Sequence, residues 1–136
     1  MHELIDIVAQ LRAPDGCPWD KRQTLQSLRP FVVEEAHEVV DAIDRGDDQE
    51  LCKELGDLLF LVTMLSRLAQ ERGSFCFDDV VDGISAKMRR RHPHVFGTPD
   101  QLAEGHKPGN WEAIKAEERE QKGSVLDSVP TSMPAL

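Results

Sequence analysis

The sequence predicts an all-α fold, a helical bundle of four to five helices. Three observations support it. Apolar residues recur every three or four positions through most of the chain. No segment alternates polar and apolar residues for long enough to form a convincing strand. Proline and glycine separate the periodic segments by short connections, which favours antiparallel neighbours. The 136 residues provide for a single hydrophobic core.

The first helix is predicted over residues 4–11 and is ended by Pro14 and Gly16. Residues 13–23 are expected to form a loop. Thr24 is a suitable N-cap for a second helix that runs to about Asp44, with Pro30 as a local interruption. The apolar stripe predicted for this helix consists of Phe31, Ala36, Val39, Val40 and Ile43.

The third helix follows a short turn at residues 45–48 and is predicted to reach about Arg72, before Gly73. At its start, Asp47 and Glu50 resemble a capping box. One apolar stripe along it comprises Leu51, Leu55, Leu58, Val62, Leu65 and Ala69, and a second comprises Phe60, Leu61 and Met64. Because an amphipathic helix needs only one stripe, two stripes predict burial on both sides, in a bundle centre or a dimer interface.

The C-terminal third of the chain contains two further predicted helices. One opens at Asp78 or Asp79 and stops before Pro93. Residues 93–109 hold three prolines and three glycines and are predicted to be irregular. Asn110 is expected to cap a last helix over residues 111–121. We therefore predict a domain over residues 1–123 and a linker-like tail over residues 124–136.

The composition argues against several classes of function. With 25 acidic and 16 basic residues the net charge is −9, which disfavours binding to nucleic acid because phosphate neutralisation needs excess Lys and Arg. No apolar run reaches the roughly 18 residues of a membrane span, and the N-terminus carries no secretory signal. The three cysteines form no CxxC pair and are expected to be free thiols. We expect a cytoplasmic protein without membrane or nucleic-acid partners.

Acidic residues cluster on the second and third helices. Glu35 and Glu38 are three positions apart, as are Glu54 and Asp57, so each pair leaves one helix face. A tight turn near residue 46 makes the helices antiparallel and brings the two pairs to about the same height. Oxygen ligands in this arrangement suit Mg²⁺. The alternative is a solvated acidic face, which is the better account of any single Glu but not of the set, because few cations lie nearby.

A basic cluster ends the fourth helix, and its members are Lys87, Arg89, Arg90 and Arg91. The helix dipole accounts for one or two of these cations. Lys87 and Arg91 are four positions apart and face the same way, so they are suited to hold the outer oxygens of a polyphosphate. The only tryptophans, Trp19 and Trp111, are suited to stack on a base, although core or hinge packing explains them equally well.

Two motifs on the acidic helices resemble a known family. Glu34-Glu35-Ala-His-Glu38 and Glu54-Leu-Gly-Asp57 match the EExxE…ExxD signature of the all-α nucleoside triphosphate pyrophosphohydrolases. The flanking segments resemble the MazG proteins closely: Gly16-Cys-Pro-Trp-Asp20, Gln23-Thr24, Arg90-Arg91-His92-Pro-His94-Val-Phe96 and Asn110-Trp111-Glu-Ala-Ile-Lys115. The resemblance extends over nearly the whole chain.

This resemblance implies hydrolysis of nucleoside triphosphates to monophosphate and pyrophosphate with Mg²⁺, for which Mn²⁺ could substitute. The metal ligands it implies are Glu35, Glu38, Glu54 and Asp57. Glu34 would be the base that orients the attacking water, or would lie just behind the ligands.

The same resemblance implies contacts to the nucleotide from Lys87, Arg91 and Trp111, with Lys87 and Arg91 also catalytic because they would neutralise the leaving pyrophosphate. The substrates would be NTPs or dNTPs. The resemblance also implies that the chain forms a homodimer or a dimer of dimers. We therefore expect dimerisation to complete the four-helix-bundle core.

Two alternatives remain open from the sequence. A di-iron or di-manganese bundle would need two Glu-x-x-His motifs, whereas the chain offers only Glu34-x-x-His37 beside Glu54-x-x-Asp57. A non-catalytic dimerisation or regulatory N-terminal domain of a longer MazG protein is favoured by the linker-like tail.

Overall fold

The computed structural model describes residues 2–104 and 115–120, and these residues form helices, turns and bends without a strand. The all-α prediction is confirmed. Residues 115–120 are helical and lie within the predicted last helix. Trp111 and the predicted tail lie outside the described residues. The other helices are α1 (His2–Leu11), α2 (Pro18–Lys21), α3 (Leu25–Arg45), α4 (Asp48–Glu71), α5 (Phe77–Arg91), α6 (Pro93–Phe96) and α7 (Pro99–Glu104).

The chain divides between Val81 and Asp82 into two compact units, and α5 begins in the first and continues in the second. In the first unit, α3 and α4 are the predicted second and third helices, and they pack mainly against each other. No helix within the described part of the chain has both the length and the apolar character needed to cross a membrane.

The start of α3 is a complete capping box. The Thr24 hydroxyl accepts a hydrogen bond from the Ser27 N–H at 3.0 Å, and the Ser27 hydroxyl accepts one from the Thr24 N–H at 2.8 Å. These bonds satisfy two N–H groups that a helix start leaves without partners. The N-cap predicted at Thr24 is therefore confirmed.

The turn between α3 and α4 is built on Gly46, whose φ of 64° suits glycine. Two bonds close α3: the Gly46 N–H donates to the Ile43 carbonyl and the Asp47 N–H donates to the Ala42 carbonyl. The Asp47 side chain then caps α4 by accepting from the Glu50 N–H at 3.1 Å. The capping box predicted here forms only by half, because the Asp47 N–H is already used in closing α3.

The core of the first unit joins three helices. Its buried members are Val8 from α1, Leu28 from α3, and Leu61, Met64 and Leu68 from α4. Leu28 near the start of α3 meets residues in the second half of α4, as antiparallel helices require. Val8, Leu28 and Met64 are each 1% exposed, so truncating any of them to Ala would cost roughly 2–5 kcal/mol.

The inward face of α3 differs from the predicted stripe. Four predicted inward residues are exposed: Phe31, Ala36, Val40 and Ile43. The more buried positions follow a three-four repeat, and they are Leu25, Leu28, Val32, Glu35, Val39 and Ala42. The prediction was wrong because Glu35 stands in the middle of this inner row and interrupts its apolar pattern.

Residues 93–104, in the second unit, also correct the prediction, since most of the segment expected to be irregular is helical. Pro93 and Pro99 are the first residues of α6 and α7, where a missing N–H removes no helical bond. Thr98 and Gln101 exchange reciprocal bonds at the start of α7. Similarly, the predicted loop at residues 13–23 contains α2, which starts at Pro18. Pro18, Pro93 and Pro99 are therefore helix starts, whereas Pro30, expected to interrupt its helix, lies inside a continuous α3.

Candidate metal and nucleotide site

Three carboxylates meet inside the first unit. One oxygen from each of Glu35, Glu54 and Asp57 lies within 4.8 Å of the others. Glu35 occupies the inner row of α3, and Glu54 and Asp57 are three positions apart on α4. Glu54 is 7% exposed. The α3–α4 hairpin thus brings one carboxylate of α3 next to two carboxylates of α4.

The cluster is electrostatically strained in the absence of a cation. Glu35 Oε1 is buried, and no donor among the described residues reaches it. The close contact with the Glu54 carboxyl, followed by burial and by the negative charges of Glu54, Asp57 and Glu38, raises the pKa of Glu35 to about 7. A divalent cation would supply the missing partner, and an all-carboxylate set suits a hard cation such as Mg²⁺ or Mn²⁺. The residues therefore fit a metal.

The two other carboxylates predicted for the site, Glu34 and Glu38, lie outside the three-carboxylate cluster. Glu38 is exposed and is not part of the three-carboxylate group, although its charge acts on Glu35. Glu34 is exposed and lines the cavity beside the cluster. Three of the four predicted ligands are brought together, and ligation by Glu38 stays a prediction.

A cavity of about 250 Å³ opens beside the carboxylates. Its polar wall carries Glu34, Glu35 and Asp57. The rest of the lining is apolar and aromatic, and it consists of Trp19, Leu28, Phe31, Phe60, Leu61 and Met64. A mostly apolar lining with a few convergent polar groups is typical of small-molecule sites.

Two aromatic residues of the lining, Trp19 and Phe31, are 45% and 40% exposed and so mark the mouth of this cavity. Trp19 from α2 and Phe31 from α3 meet edge to face, with ring centroids 5.8 Å apart and planes at 77°. Sequence reasoning considered Trp19 for base stacking, but it assigned Phe31 and Phe60 to core stripes. The one signal for a shared site was the position of Trp19 in the family-like Gly16–Asp20 segment.

The predicted phosphate ligands lie in the second unit. Lys87 is half-buried, and Arg91 is 8% exposed. The Arg91 guanidinium donates to Glu118 Oε2 from Nη2 at 2.6 Å and from Nε at 3.0 Å, and Arg90 Nε donates to Glu118 Oε1 at 2.6 Å. These bonds, that from Arg91 first, lower the pKa of Glu118 to about 2. Sequence reasoning missed Glu118 because it is one acid in a run of charged residues.

Comparison with known proteins finds a family match over the part of the chain that contains the carboxylates. The model of the MazG nucleotide pyrophosphohydrolase domain matches residues 23–96. A nucleoside triphosphate pyrophosphohydrolase of Escherichia coli (strain K12) is 48% identical over 136 residues, with 98% of this chain and 52% of the relative covered. A nucleoside triphosphate pyrophosphohydrolase/pyrophosphatase MazG of Thermotoga maritima is 42% identical over 135 residues, covering 98% of this chain and 51% of the relative. The chain thus spans about half the length of these relatives.

A solved structure supports the fold. The crystal structure of a mazG-related protein from Thermotoga maritima superposes with a TM-score of 0.65 at 21% identity and covers 85% of this chain and 99% of that one. The matched residues 23–96 make up more than half of the 136 and include the carboxylate cluster, Lys87 and Arg91. On this match, the chain belongs to the family of MazG nucleotide pyrophosphohydrolase domains.

Proposed function

We propose that this chain hydrolyses nucleoside triphosphates to nucleoside monophosphate and pyrophosphate with a divalent metal. The observation that carries the proposal is the cluster of Glu35, Glu54 and Asp57, which opens onto an aromatic-lined cavity. A triphosphate needs the cation that the carboxylates would hold, and a base needs the aromatic faces. The names of the longer relatives point to the same reaction.

The metal would be held by Glu35, Glu54 and Asp57, with Glu38 as a further ligand from the margin. Bound there, Mg²⁺, or Mn²⁺ in its place, would neutralise the triphosphate and acidify a water molecule. Since Glu35 Oε1 is buried without a donor among the described residues, the protein itself gains from the cation.

The remaining groups would orient the reactants. Glu34 on the cavity wall would accept a proton from the water that attacks the α-phosphorus, while the bond to the β-phosphate breaks. Lys87 and Arg91 would neutralise the pyrophosphate as it leaves. Trp111 would contact the nucleotide, and Trp19 would stack on the base, since stacking tolerates every base.

We further propose that the active form is a homodimer or a dimer of dimers. Besides Phe31, which lines the cavity, five large apolar residues on the α3–α4 hairpin are 38–59% exposed in the single chain: Val33, Val40, Ile43, Leu55 and Leu59. A concentration of exposed apolar residues on one hairpin is typical of an interface, and a second copy of the hairpin would complete a four-helix core. We place the activity in the cytoplasm because nucleoside triphosphates are found there.

Product identification tests the proposed reaction. The purified chain is incubated with Mg²⁺ and eight ordinary NTPs and dNTPs, and products are separated by ion exchange. We expect monophosphate and pyrophosphate. Diphosphate with phosphate would contradict the site assignment. No product from a folded chain would contradict the proposal in favour of a non-catalytic regulatory domain.

The variant Asp57→Asn tests the metal ligands. It removes a ligand charge at nearly constant volume, so kcat should fall at least about a hundredfold while helical content is kept. The matched control is Asp44→Asn, an exposed aspartate near the end of α3, which should retain activity. Equal activity of Asp57→Asn and Asp44→Asn would overturn the assignment.

A further inference from the structure

Trp19 lies on α2, a helix that is too short to be stable without contacts to the rest of the fold. The helix α2 has four residues, fewer than an isolated helix needs to be stable in water. Trp19 is 45% exposed and touches Phe31 only by an edge-to-face contact. The place of Trp19 at the cavity mouth therefore depends on how the rest of the first unit fixes α2.

Backbone and side-chain bonds from Cys17 and Lys21 tie α2 to the preceding turn, and Arg12, just after α1, ties the end of α2 to the rest of the first unit. Its Nη1 donates to the Asp20 carbonyl at 2.5 Å and to the Gln23 carbonyl at 3.3 Å. These are carbonyls at and just beyond the end of α2, where helical partners are missing and a cation is favoured. Arg12 thus holds α2 by its C-terminal end, directly beside Trp19.

Glu71, the last residue of α4, holds Arg12 in turn. Both carboxylate oxygens accept at 2.7 Å, one from Nε and one from Nη2. The Arg12 side chain is only 10% exposed. The hydrogen bond from Arg12 lowers the pKa of Glu71, so the carboxylate stays ionised at neutral pH. The planar fork of an arginine makes these bonds and the carbonyl bonds together, which a lysine cannot do.

Neither Arg12 nor Glu71 lines the cavity, and neither belongs to the carboxylate cluster. The contacts nevertheless run without a break from the end of α4, through Glu71 and Arg12, to the helix that carries Trp19. We propose that the Arg12–Glu71 ion pair is a positioning device that sets the affinity for the nucleobase by holding Trp19 at the cavity mouth. This inference rests on the proposed function.

Kinetics of Arg12→Met in the full chain test the device, with Arg72→Met as the control. Arg72 is exposed at the same end of α4 and bonds to Ser74. We expect Arg12→Met to raise KM for ATP about tenfold, within the range of one lost stacking contact, while kcat changes less than about twofold. KM for methyl triphosphate, which has neither base nor sugar, should stay unchanged, as should both constants in Arg72→Met.

A double variant separates positioning from a general loss of stability. Trp19→Ala should raise KM for ATP, and adding Arg12→Met should raise it no further, because both act on the same contact. Multiplying effects, or equal rises in KM for ATP and methyl triphosphate, would overturn the proposal. If Arg12→Met fails to fold, Glu71→Gln keeps the packing and should give a smaller rise in KM for ATP alone; an unchanged KM in folded Glu71→Gln would count against the device.

A second readout does not need activity. In a Trp111→Phe background, Trp19 is the only tryptophan, and acrylamide quenching reports its exposure. Arg12→Met should raise the quenching constant about twofold over Arg72→Met. Equal quenching in the two variants would overturn the positioning role. Failure of the proposed function would instead appear as no turnover in the wild type, and it would leave the quenching result intact.

Discussion

At Glu35, the stability of the fold and the proposed binding of a cation make opposite demands on the side chain. It occupies the inner row of α3, where an apolar residue would pack, and it meets two further carboxylates there. Like charges at this distance cost free energy of folding, and a bound cation reverses the sign of the interaction. Under the proposed function this cost is required, because the carboxylates can bind a cation only if they converge.

Replacing Glu35 by Gln should therefore stabilise the metal-free protein. We expect a gain of about 1–2 kcal/mol in the free energy of unfolding at pH 7.5, because a repelling charge becomes an amide that can donate to Glu54. The rise in Tm that Mg²⁺ gives the wild type should be lost. Thermal unfolding with and without Mg²⁺ measures both effects, with Asp44→Asn as the control. A metal-free Tm no higher than that of the wild type would contradict this account of Glu35.

Among the elements, helix 115–120 is distinguished by a buried ion pair. Glu118 joins it to the end of α5 through Arg91 and Arg90, and its side chain is 10% exposed. Because the pKa of Glu118 falls from 4.5 in the unfolded chain to about 2 in the folded one, its contribution is fully present above pH 4.5. It is lost progressively as the pH falls from 4.5 towards 2.

The variant Glu118→Gln tests this pH dependence. At pH 7 it should lower the free energy of unfolding by roughly 2–3 kcal/mol, and the difference from the wild type should shrink towards zero near pH 2. Urea unfolding at pH 7, 4.5 and 3 measures the difference. Glu120→Gln, an exposed position of the same helix, is the matched control. A difference that stays constant with pH would show that the ion pair is not its origin.

For the whole molecule, we propose that the exposed apolar residues of the α3–α4 hairpin form the interface between copies of the chain. Val33, Val40 and Ile43 repeat at helical spacing on α3, on a flank of the helix other than the one that carries Glu34 and Glu38. If a second copy covers this flank, a charge placed there should prevent association. The carboxylate cluster would meanwhile remain within each chain.

Ile43→Glu should convert the proposed dimer to a monomer, since it would bury a charge in the proposed apolar interface. Size-exclusion chromatography with light scattering, run at several protein concentrations, measures the molar mass of the assembly. Ile7→Glu is a comparable change on α1, where Ile7 is 43% exposed, and it should leave the mass unchanged. If Ile7→Glu dissociated the protein and Ile43→Glu did not, the interface would lie elsewhere.

Local patterns were sufficient to predict the long helices and most of the carboxylate cluster. Periodicity, the cap at Thr24 and the glycine at residue 46 act over a few residues, so the helix limits could be predicted from neighbours in the chain. The proximity of Glu35, Glu54 and Asp57 could be predicted because a tight turn makes the two helices antiparallel. Counting residues from the turn then gives the positions that lie side by side.

Contacts between distant segments followed from the tertiary structure only. Glu71 lies 59 positions from Arg12, and Glu118 lies 27 from Arg91, separations over which no local pattern selects a partner. The inner face of α3 was misassigned because Glu35 breaks the apolar row that packing follows. The position of Trp19 in the cavity lining likewise depends on how the rest of the fold holds α2, a helix of four residues. Short-range geometry can be predicted from sequence spacing, whereas the pairing of remote side chains is decided by the packing of the whole core.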